Sequence, residues 1–503
     1  RRGFKHVSGL DRSRYLIRLA KRRADQRESE ALSILVPHLW NESLALFTAV
    51  ALHRRYAAGQ KTVVPSPRHR LLKGLANGEM PPSRLLATLA KGPARPSRLR
   101  APLRLARGVL VRDSISRLRL SRLDLKRDIV TNSVTSLIQA NARACGEPVT
   151  YRGSHEWFAG LDQADISAAR SKAPPSDVDD DLLRVTADAF AAGGEELPQS
   201  AAGYIRRYTA DALAAIGCHV RRLEAVPERL PARLWTGAGS DPWTRMLRHV
   251  TRRFNGEVTG HDHGPGAGYT TSIQKTLIDF EACNHFITMT PGQAEGYARW
   301  VFRRDLLIQP EPPSFEARRT RWSLRRYGPV DRPVRTVMLV AGEYTAEMMR
   351  GLPLLPDPVV VDWHARLFAR LRGWDYEVLF KPHPDSDGAP PPGFAALLGQ
   401  APLCEPFEAA VDRADVILFD WPRTTTFASA MLCGKPMVLV DFGLGFFVEE
   451  AQQLLRRRCA VVAGRFSDDN RCHTDWTELR AAIEQAPALM DGEFESCYFG
   501  GDL

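Results

Sequence analysis

The chain has 503 residues, more than one hydrophobic core can hold, and a prior of about 150 residues per domain predicts two or three domains. Its 44% hydrophobic content is that of a globular protein. Its most apolar run, LALFTAVAL at 44–52, is much shorter than the about 20 residues that a membrane-spanning helix needs, so no such helix is expected. The formal net charge is +11. The eight cysteines are scattered and form no CxxC pair. This pattern predicts reduced thiols in a cytoplasmic protein rather than a disulfide framework or a zinc ribbon.

Basic residues are concentrated in the first part of the chain. Residues 1–30 are interpreted as a basic N-terminal extension without the apolar segment of a secretory signal. Between Arg98 and Asp128, ten basic residues face three acidic ones, with Leu, Ile and Val between them. Such a stretch suits an anionic membrane surface or a solvated helix face, and both interpretations stay open. Nucleic acid is not expected as a partner, because no aromatic stacking platform or recognised binding motif accompanies the charge.

From residue 31 onward, short apolar runs alternate with longer helical patterns, as in a parallel α/β sheet. The run LSILVPHL at 32–39 predicts a strand, and SLALFTAVALHRRYAAG predicts a helix after it. Strand and helix patterns repeat in DIVTNSVTSLIQANARACG and again from PARLWTG to EVTGHDHG, where Asp241 and Pro242 begin a helix. These elements predict an N-terminal Rossmann-like domain with helical insertions over 31–303.

The loop GHDHGPGAGY, 260–269, places two histidines and an aspartate before a run of glycines. Three interpretations stay open. The loop binds a charged ligand through its titratable side chains and a closely approaching backbone, or it is an ordinary turn with hydrogen-bonded histidines. The third is a zinc site, with four candidate ligands in HDH and ACNH: His261, His263, Cys283 and His285. Their spacing matches no known motif, so no metal is expected.

A charged, proline-rich segment over 304–333 predicts a linker, and a second α/β unit is predicted over 334–503. That unit begins with the strand RTVMLVAG and alternates helices with the strands YEVLFKPHP, DVILFDW, KPMVLVDFG and CAVVAG. Two such units joined by a linker predict a ligand cleft between them, at the carboxyl ends of the strands.

Two motifs of the second unit follow strands directly. In KPHPDSDG, 381–388, His383 is held between two prolines and can donate a hydrogen bond to a phosphate, with Lys381 as an added positive charge. In DWPRTTTFASAMLCGKP, 420–436, Thr424, Thr425 and Thr426 begin a helix whose free N–H groups attract anions, with Arg423 alongside. A proline-rich turn and simple helix capping are the alternatives that involve no ligand.

These motifs resemble the C-terminal half of GT-B glycosyltransferases of bacterial surface polysaccharides, in particular sialyltransferases, Kdo transferases and the glycerophosphotransferases of teichoic acid synthesis. The resemblance covers roughly residues 335–465. In those families an HP dipeptide and a Ser/Thr cluster hold the phosphate of the donor. This implies the same role for His383, Thr424, Thr425 and Thr426, with Lys381 and Arg423 as supporting charges. It also implies a GT-B-like fold of two Rossmann-like halves, the first for the acceptor and the second for the nucleotide donor.

The same resemblance implies a catalytic base on the loop at 260–269. Sialyltransferases carry an acidic pair before glycine there, and glycerophosphotransferases carry His-Gly. Asp262 supplies only one carboxylate, whereas His263 and Gly264 fit the second pattern directly. A neutral imidazole is suited to accept the proton of an acceptor hydroxyl. His263 or Asp262 is therefore the candidate base, with Gly264 and Gly266 close to the donor.

The activity implied is that of an inverting, metal-independent glycosyltransferase without a cofactor. Its expected partners are a nucleotide-activated sugar, by resemblance a CMP-sugar, and a glycan or lipid-linked acceptor of a capsule or lipopolysaccharide. Its expected location is the cytoplasm or the inner face of the cell membrane. The alternatives are a CDP-alditol glycerophosphotransferase and a non-catalytic subunit of a polysaccharide assembly complex. A nucleotide-sugar epimerase shares the architecture, but the sequence has no clear counterpart of its several acidic catalytic residues.

If the stretch 98–128 engages lipid, the protein should co-sediment with anionic vesicles and not with neutral ones. Binding should weaken as salt rises, because exposed charges are screened over about 8–10 Å at physiological ionic strength. Sedimentation with phosphatidylglycerol vesicles and with phosphatidylcholine vesicles measures this. Equal behaviour with both would assign the stretch to a solvated helix face.

Overall fold

The structure is a computed structural model of the chain. It describes residues 26–58, 70–82, 84–91, 124–133, 135–147, 149–158, 177–192, 194–237, 239, 241–262, 268–270, 276–299, 306–310, 332–342, 344, 357–383, 399, 401–444, 447–467 and 471–500. Residues 1–25 of the predicted basic extension and residues 98–123 of the basic stretch lie outside these ranges. His263, Gly264 and Gly266 also lie outside them.

The first unit is built on six parallel strands in the order β2-β1-β3-β4-β5-β6. The strands are β1 (Ile129–Thr131), β2 (Val149–Tyr151), β3 (Arg233–Thr236), β4 (Glu257–His261), β5 (His285–Thr288) and β6 (Leu307–Pro310). The described helices are α1 (Gln26–Ala58), α2 (Arg70–Asn77), α3 (Arg84–Lys91), α4 (Ser136–Cys145), α5 (Ser154–Trp157), α6 (Asp177–Ala192), α7 (Gln199–Glu224), α8 (Pro242–Arg253) and α9 (Pro291–Ala298). Asp241 caps α8 as predicted, since its Oδ1 accepts a hydrogen bond from Thr244 N at 2.9 Å.

Helix α1 occupies the segment in which a strand is predicted at 32–39, so that prediction is wrong. The apolar side chains of the run are almost completely buried, among them Leu32, Ile34, Leu35, Val36 and Leu39. Helix α1 packs against α2, α7 and α8, so its apolar residues are not confined to one stripe. The helical period is therefore lost, and a short apolar run of this kind does not distinguish helix from strand.

Helix α1 is also the one helix, among those the structure describes, that is long and apolar enough to cross a membrane by length and composition. The window at 30–51 has a mean hydropathy of 1.2, and 69% of it is buried inside the protein. The run at 44–52 alone does not reveal this length, because it joins the run at 32–39 in a single helix. The buried side chains of α1 belong to the core of the first unit.

The second unit is built on the sheet β12-β11-β10-β9-β7-β8, in which only β11 and β12 pair antiparallel. Its strands are β7 (Thr336–Val340), β8 (Glu377–Lys381), β9 (Val416–Phe419), β10 (Met437–Asp441), β11 (Ala460–Phe466) and β12 (Cys472–Thr474). Its described helices are α10 (Asp357–Arg372), α11 (Phe407–Ala410), α12 (Thr425–Leu432), α13 (Glu449–Arg458), α14 (Trp476–Gln485) and α15 (Glu493–Phe499). The predicted strands of this unit are confirmed. Strand β7, which lies between β9 and the edge strand β8, is buried throughout and contributes to a core on each face of the sheet.

The first three strands of each unit are arranged in the same order. In each, the second strand lies on one side of the first and the third strand lies on the other, so successive connections turn in opposite directions. Ligands of open α/β sheets bind at such a switch point, in the crevice between the carboxyl ends of the two strands. The switch points lie between β1 and β3 and between β7 and β9. The predicted fold class, α/β with two Rossmann-like halves, is confirmed.

The segment predicted as a linker, 304–333, contributes to the first sheet. Leu307–Pro310 forms β6 and pairs with β5, so the sheet extends into this segment. The second sheet begins at Thr336. The two halves meet where α15 packs against α9, and Gln293 Nε2 donates a hydrogen bond to Tyr498 O at 2.7 Å.

Candidate functional site

The loop between β9 and α12 lies at the carboxyl edge of the second sheet, beside its switch point. Gly342, which follows β7, lets this loop come close, because a Cβ there would lie 3.2 Å from Trp421 Cβ. Thr424 is 5% exposed, and its hydroxyl accepts a hydrogen bond from Phe427 N at 3.1 Å as the N-cap of α12. Thr425 is exposed and Thr426 is partly exposed. Of the three hydroxyls, that of Thr424 caps the helix, while the other two are accessible to a ligand.

A chain of buried hydrogen bonds holds the start of this loop. Asp420 Oδ2 lies 2.6 Å from His364 Nε2 and accepts a hydrogen bond from Trp363 Nε1 at 3.1 Å. His364 Nδ1 lies 2.6 Å from the hydroxyl of Tyr344. When His364 donates Nε2–H to the carboxylate, its Nδ1 accepts a hydrogen bond from the Tyr344 hydroxyl, so every group in the chain has a partner. Sequence reasoning missed these residues, because His364 lies inside α10 and Tyr344 lies in a loop, with no spacing that relates them.

The KPHP motif lies at the end of the edge strand β8. Strand β7 separates it from β9, so the two strands are about 10 Å apart. Lys381 is 8% exposed, and its ammonium group donates a hydrogen bond to Pro382 O at 3.4 Å. His383 is partly exposed. Both motifs therefore lie at one edge of the sheet, and His383 is more accessible to a ligand than Lys381 is.

In the first unit, the histidine and the aspartate at the end of β4 are completely buried. Asn141 Nδ2 lies 3.0 Å from His261 Nε2, and the other ring nitrogen lies 3.3 Å from Thr236 O. Burial lowers the pKa of His261 to about 3, so its imidazole is neutral at physiological pH. Asp262 accepts a hydrogen bond from the hydroxyl of Tyr297 at 2.8 Å. Burial and this carboxylate raise the pKa of Tyr297 well above its usual value, which keeps the phenol protonated.

The end of the same loop docks onto the second unit. Gly268 has φ +87°, and a Cβ there would lie 2.5 Å from Gln293 Cα, so the position requires glycine. Tyr269 is completely buried, and its hydroxyl donates to Pro422 O at 3.0 Å. Its ring centroid lies 5.5–5.9 Å from those of four aromatic side chains of the second unit, namely Phe447, Phe494, Tyr498 and Phe499. Val448 N donates to Tyr269 O at 3.0 Å, and Thr270 forms an antiparallel bridge with Phe447.

Arg423, in the second half, lies near two tyrosines of the first half, Tyr269 and Tyr297. Burial lowers its pKa to about 10, and the hydroxyls of Tyr269 and Tyr297 oppose that shift. The guanidinium remains protonated at neutral pH and in turn lowers the pKa of both tyrosines, against the larger effect of their burial. The cation beside the first turn of α12 therefore lies near the tyrosine that contacts Asp262. The structure thus brings the two described ends of the loop, at Asp262 and at Gly268–Tyr269, near Pro422 and Arg423.

The candidate zinc ligands within the described residues do not converge. Cys283 Sγ lies 3.0 Å from Asp279 O, and His285 Nε2 lies 3.7 Å from Glu257 Oε1. His261 has the two partners named above. No group of three His, Cys, Asp or Glu side chains suited to a metal occurs in the described part of the chain, to which His263 does not belong.

No protein-family model matches the sequence, and a search of curated proteins finds no match. Among solved structures, the chain is similar to the glycosyltransferase SnogD from Streptomyces nogalater. The TM-score is 0.29 and the sequence identity is 14%, over 74% of this chain and 96% of that one. Both values are low. The Rossmann-like assignment rests on the strand order of the two sheets and not on this similarity.

Removal of Tyr269 should destabilise the contact between the halves. Tyr269→Phe loses one hydrogen bond to Pro422 O and should lower the free energy of unfolding by about 0.5–1.5 kcal/mol. Tyr269→Ala also opens a cavity among four aromatic rings and should cost about 3–5 kcal/mol. Denaturant unfolding followed by tryptophan fluorescence measures both. Phe254→Ala, at a 43% exposed position, is the control and should change little. A Tyr269→Ala protein as stable as the wild type would contradict the docking.

Proposed function

We propose that the protein is a glycosyltransferase that uses a nucleotide-activated sugar, with the nucleotide phosphates at the carboxyl edge of the second sheet. Inversion, independence of metal, a CMP-linked donor and a role in cell-surface polysaccharide synthesis are parts of this proposal. Location in the cytoplasm or at the inner face of the cell membrane is a further part of it. The observation that carries the proposal is the docking of Tyr269 on Pro422, because it brings a loop with titratable residues beside a helix N-terminus that is suited to an anion.

The donor phosphate would lie against the first turn of α12. Thr425 and Thr426 are accessible there, and the protonated Arg423 lies directly before them. His383 approaches from the neighbouring motif at the same edge of the sheet. Charge that develops on the departing phosphate would be stabilised by donors that are already in position, which is the usual way in which such groups lower a barrier.

The proposed base is His263, with Asp262 in a positioning role. The Asp262 carboxylate is buried and already accepts a hydrogen bond from Tyr297, so it is poorly placed to reach an acceptor hydroxyl. His263 follows it directly in the chain and belongs to the glycine-bearing part of the loop. In this assignment, Tyr297 and Asp262 anchor the start of the loop while Tyr269 anchors its end.

A thermal-shift screen against CMP, CDP, UDP, GDP and their sugar conjugates would test the donor class. Stabilisation by a CMP-sugar supports the proposal in full. A response to CDP-alditols alone would favour a glycerophosphotransferase, whose His-Gly pattern His263 and Gly264 share. A protein that responds to none of these ligands would fit a non-catalytic subunit instead.

The affinity for the identified nucleotide should fall about 10- to 100-fold in His383→Ala and in the double variant Thr425→Ala/Thr426→Ala, because each removes charge-assisted hydrogen bonds. Thr424 is left unchanged, since its loss would remove the helix cap. Thr477→Ala is the matched control, an exposed threonine in the first turn of α14, where Asp475 is the cap. Titration calorimetry measures the affinities. Unchanged values in both variants would place the donor elsewhere.

If His263 is the base, His263→Ala should lower turnover by about 10²–10⁴-fold and leave donor affinity nearly unchanged. The conservative Asp262→Asn should impair turnover less, because it mainly disturbs the contact with Tyr297. Steady-state kinetics and donor titration separate these effects. The reverse order of severity would make Asp262 the base, and activity that EDTA abolishes and zinc restores would contradict a metal-independent mechanism.

A further inference from the structure

Arg245, in the second turn of α8, is a buried cation without a hydrogen-bond partner. The residue is 2% exposed, and none of its guanidinium nitrogens, Nε, Nη1 or Nη2, bonds to any group in the part of the chain that the structure describes. Arg248, one turn later, behaves differently. Its Nη2 donates to Gly237 O at 2.6 Å, and its Nη1 donates to Ile278 O and Asp279 O at 3.1 and 3.2 Å. Only the first of these two buried arginines is left with unused donors on every nitrogen.

The two carboxylates whose charges act on Arg245 do not bond to its guanidinium. Asp241 and Asp279 both attract the charge of Arg245, while Arg248 repels it. Asp241 Oδ1 accepts from Thr244 N at 2.9 Å, and Asp279 Oδ1 accepts from Gly239 N at 2.8 Å. Each carboxylate therefore accepts a hydrogen bond from a backbone N–H group in the segment that follows β3.

A second unpartnered group faces the same charge from another helix. His38 of α1 is partly exposed as a residue, but its Nε2 is buried and has no hydrogen-bond partner within the described ranges. Burial and the charge of Arg245 hold the pKa of His38 well below its usual value, so the ring is neutral and one of its nitrogens carries a proton. The phenol of Tyr208, on α7, also lies within the field of Arg245. Side chains of two helices that pack against α8, namely α1 and α7, therefore lie near the guanidinium.

A buried charge is normally paired, because transfer of an isolated ion from water to a low-dielectric interior is very unfavourable. Burial lowers the pKa of Arg245 to about 10, which still leaves it protonated at neutral pH. A water molecule can accept hydrogen bonds from the guanidinium but brings no opposite charge. An anion supplies hydrogen-bond acceptors and the opposite charge. The planar guanidinium also matches the geometry of the oxygens of a phosphate or carboxylate.

We propose that Arg245 and His38 bind a small inorganic anion, such as phosphate or chloride, between α1, α7 and α8. The anion would accept hydrogen bonds from the guanidinium on α8 and from the imidazole N–H on α1, and so would join these two helices. This site is separate from the proposed donor site, since none of the residues of that site lies on these three helices.

The anion can be counted directly. The full chain is equilibrated with phosphate, passed through gel filtration in a buffer whose only anion is a bulky organic sulfonate, and then denatured for ion chromatography. About one phosphate per chain is expected, because an enclosed site releases its ligand slowly. A parallel sample equilibrated with chloride distinguishes the two ions. Wild-type protein that releases neither ion would overturn the proposal, whatever the variants do.

Arg245→Met is the informative variant, because an unbranched apolar side chain of similar length removes the charge without leaving a large cavity. It should retain no anion. Arg458→Met is the matched control, since Arg458 is 1% exposed but bonds to Glu495, Met431 O and Lys435 O. That variant should lose stability and still retain the anion as the wild type does.

Thermal unfolding gives a second readout. At constant ionic strength, phosphate should raise the Tm of the wild type and of Arg458→Met by about 2 °C or more, and should not raise that of Arg245→Met. An equal rise in all three proteins would show a general salt effect on stability and overturn the assignment to Arg245.

Discussion

Tyr269 is the residue on which the arrangement of the two halves depends. Its hydroxyl bonds to Pro422 O, its carbonyl accepts from Val448 N, and its ring lies among four aromatic side chains of the second unit. Aromatic pairs of this geometry contribute about 0.5–1.5 kcal/mol each beyond the burial of their surface. Gly268, directly before Tyr269, has φ +87° and lies against Gln293, so this position requires glycine. The loop at 260–269 is thus held near its end on one half and at its start on the other.

The second sheet anchors the segment that contains Pro422. Asp420 directly follows β9 and is held by His364 and Trp363, so the next four residues, up to Thr424, begin from an anchored position. Pro422 and Arg423 lie within that short segment, and both contact or approach the first half. The hydrogen-bond chain to Tyr344 therefore does more than satisfy buried groups. It also anchors the residue at which the loop from β9 to α12 begins.

Burial divides the predicted site residues into two groups. His261, Asp262, Lys381 and Thr424 are buried, and their polar atoms are engaged by groups of the protein itself. His383, Thr425 and Thr426 are at least partly exposed. A motif read from the sequence does not make this distinction, because all of these residues have the chemistry that a phosphate or a proton transfer requires.

The sequence by itself determined the second unit well. Its strands are short apolar runs between turn residues, buried on both faces of a parallel sheet, and such runs depend mainly on local composition. The cap of α8 at Asp241 was equally readable, since a cap bonds within its own first turn. The strand predicted at 32–39 is wrong, because α1 packs on several sides and the sequence therefore lacks the helical period. The tertiary structure alone decided that Tyr269 meets Pro422, 153 positions further along the chain, and that His364 meets Asp420. Contacts at such separations depend on strand order and helix packing, which no local pattern of residues records.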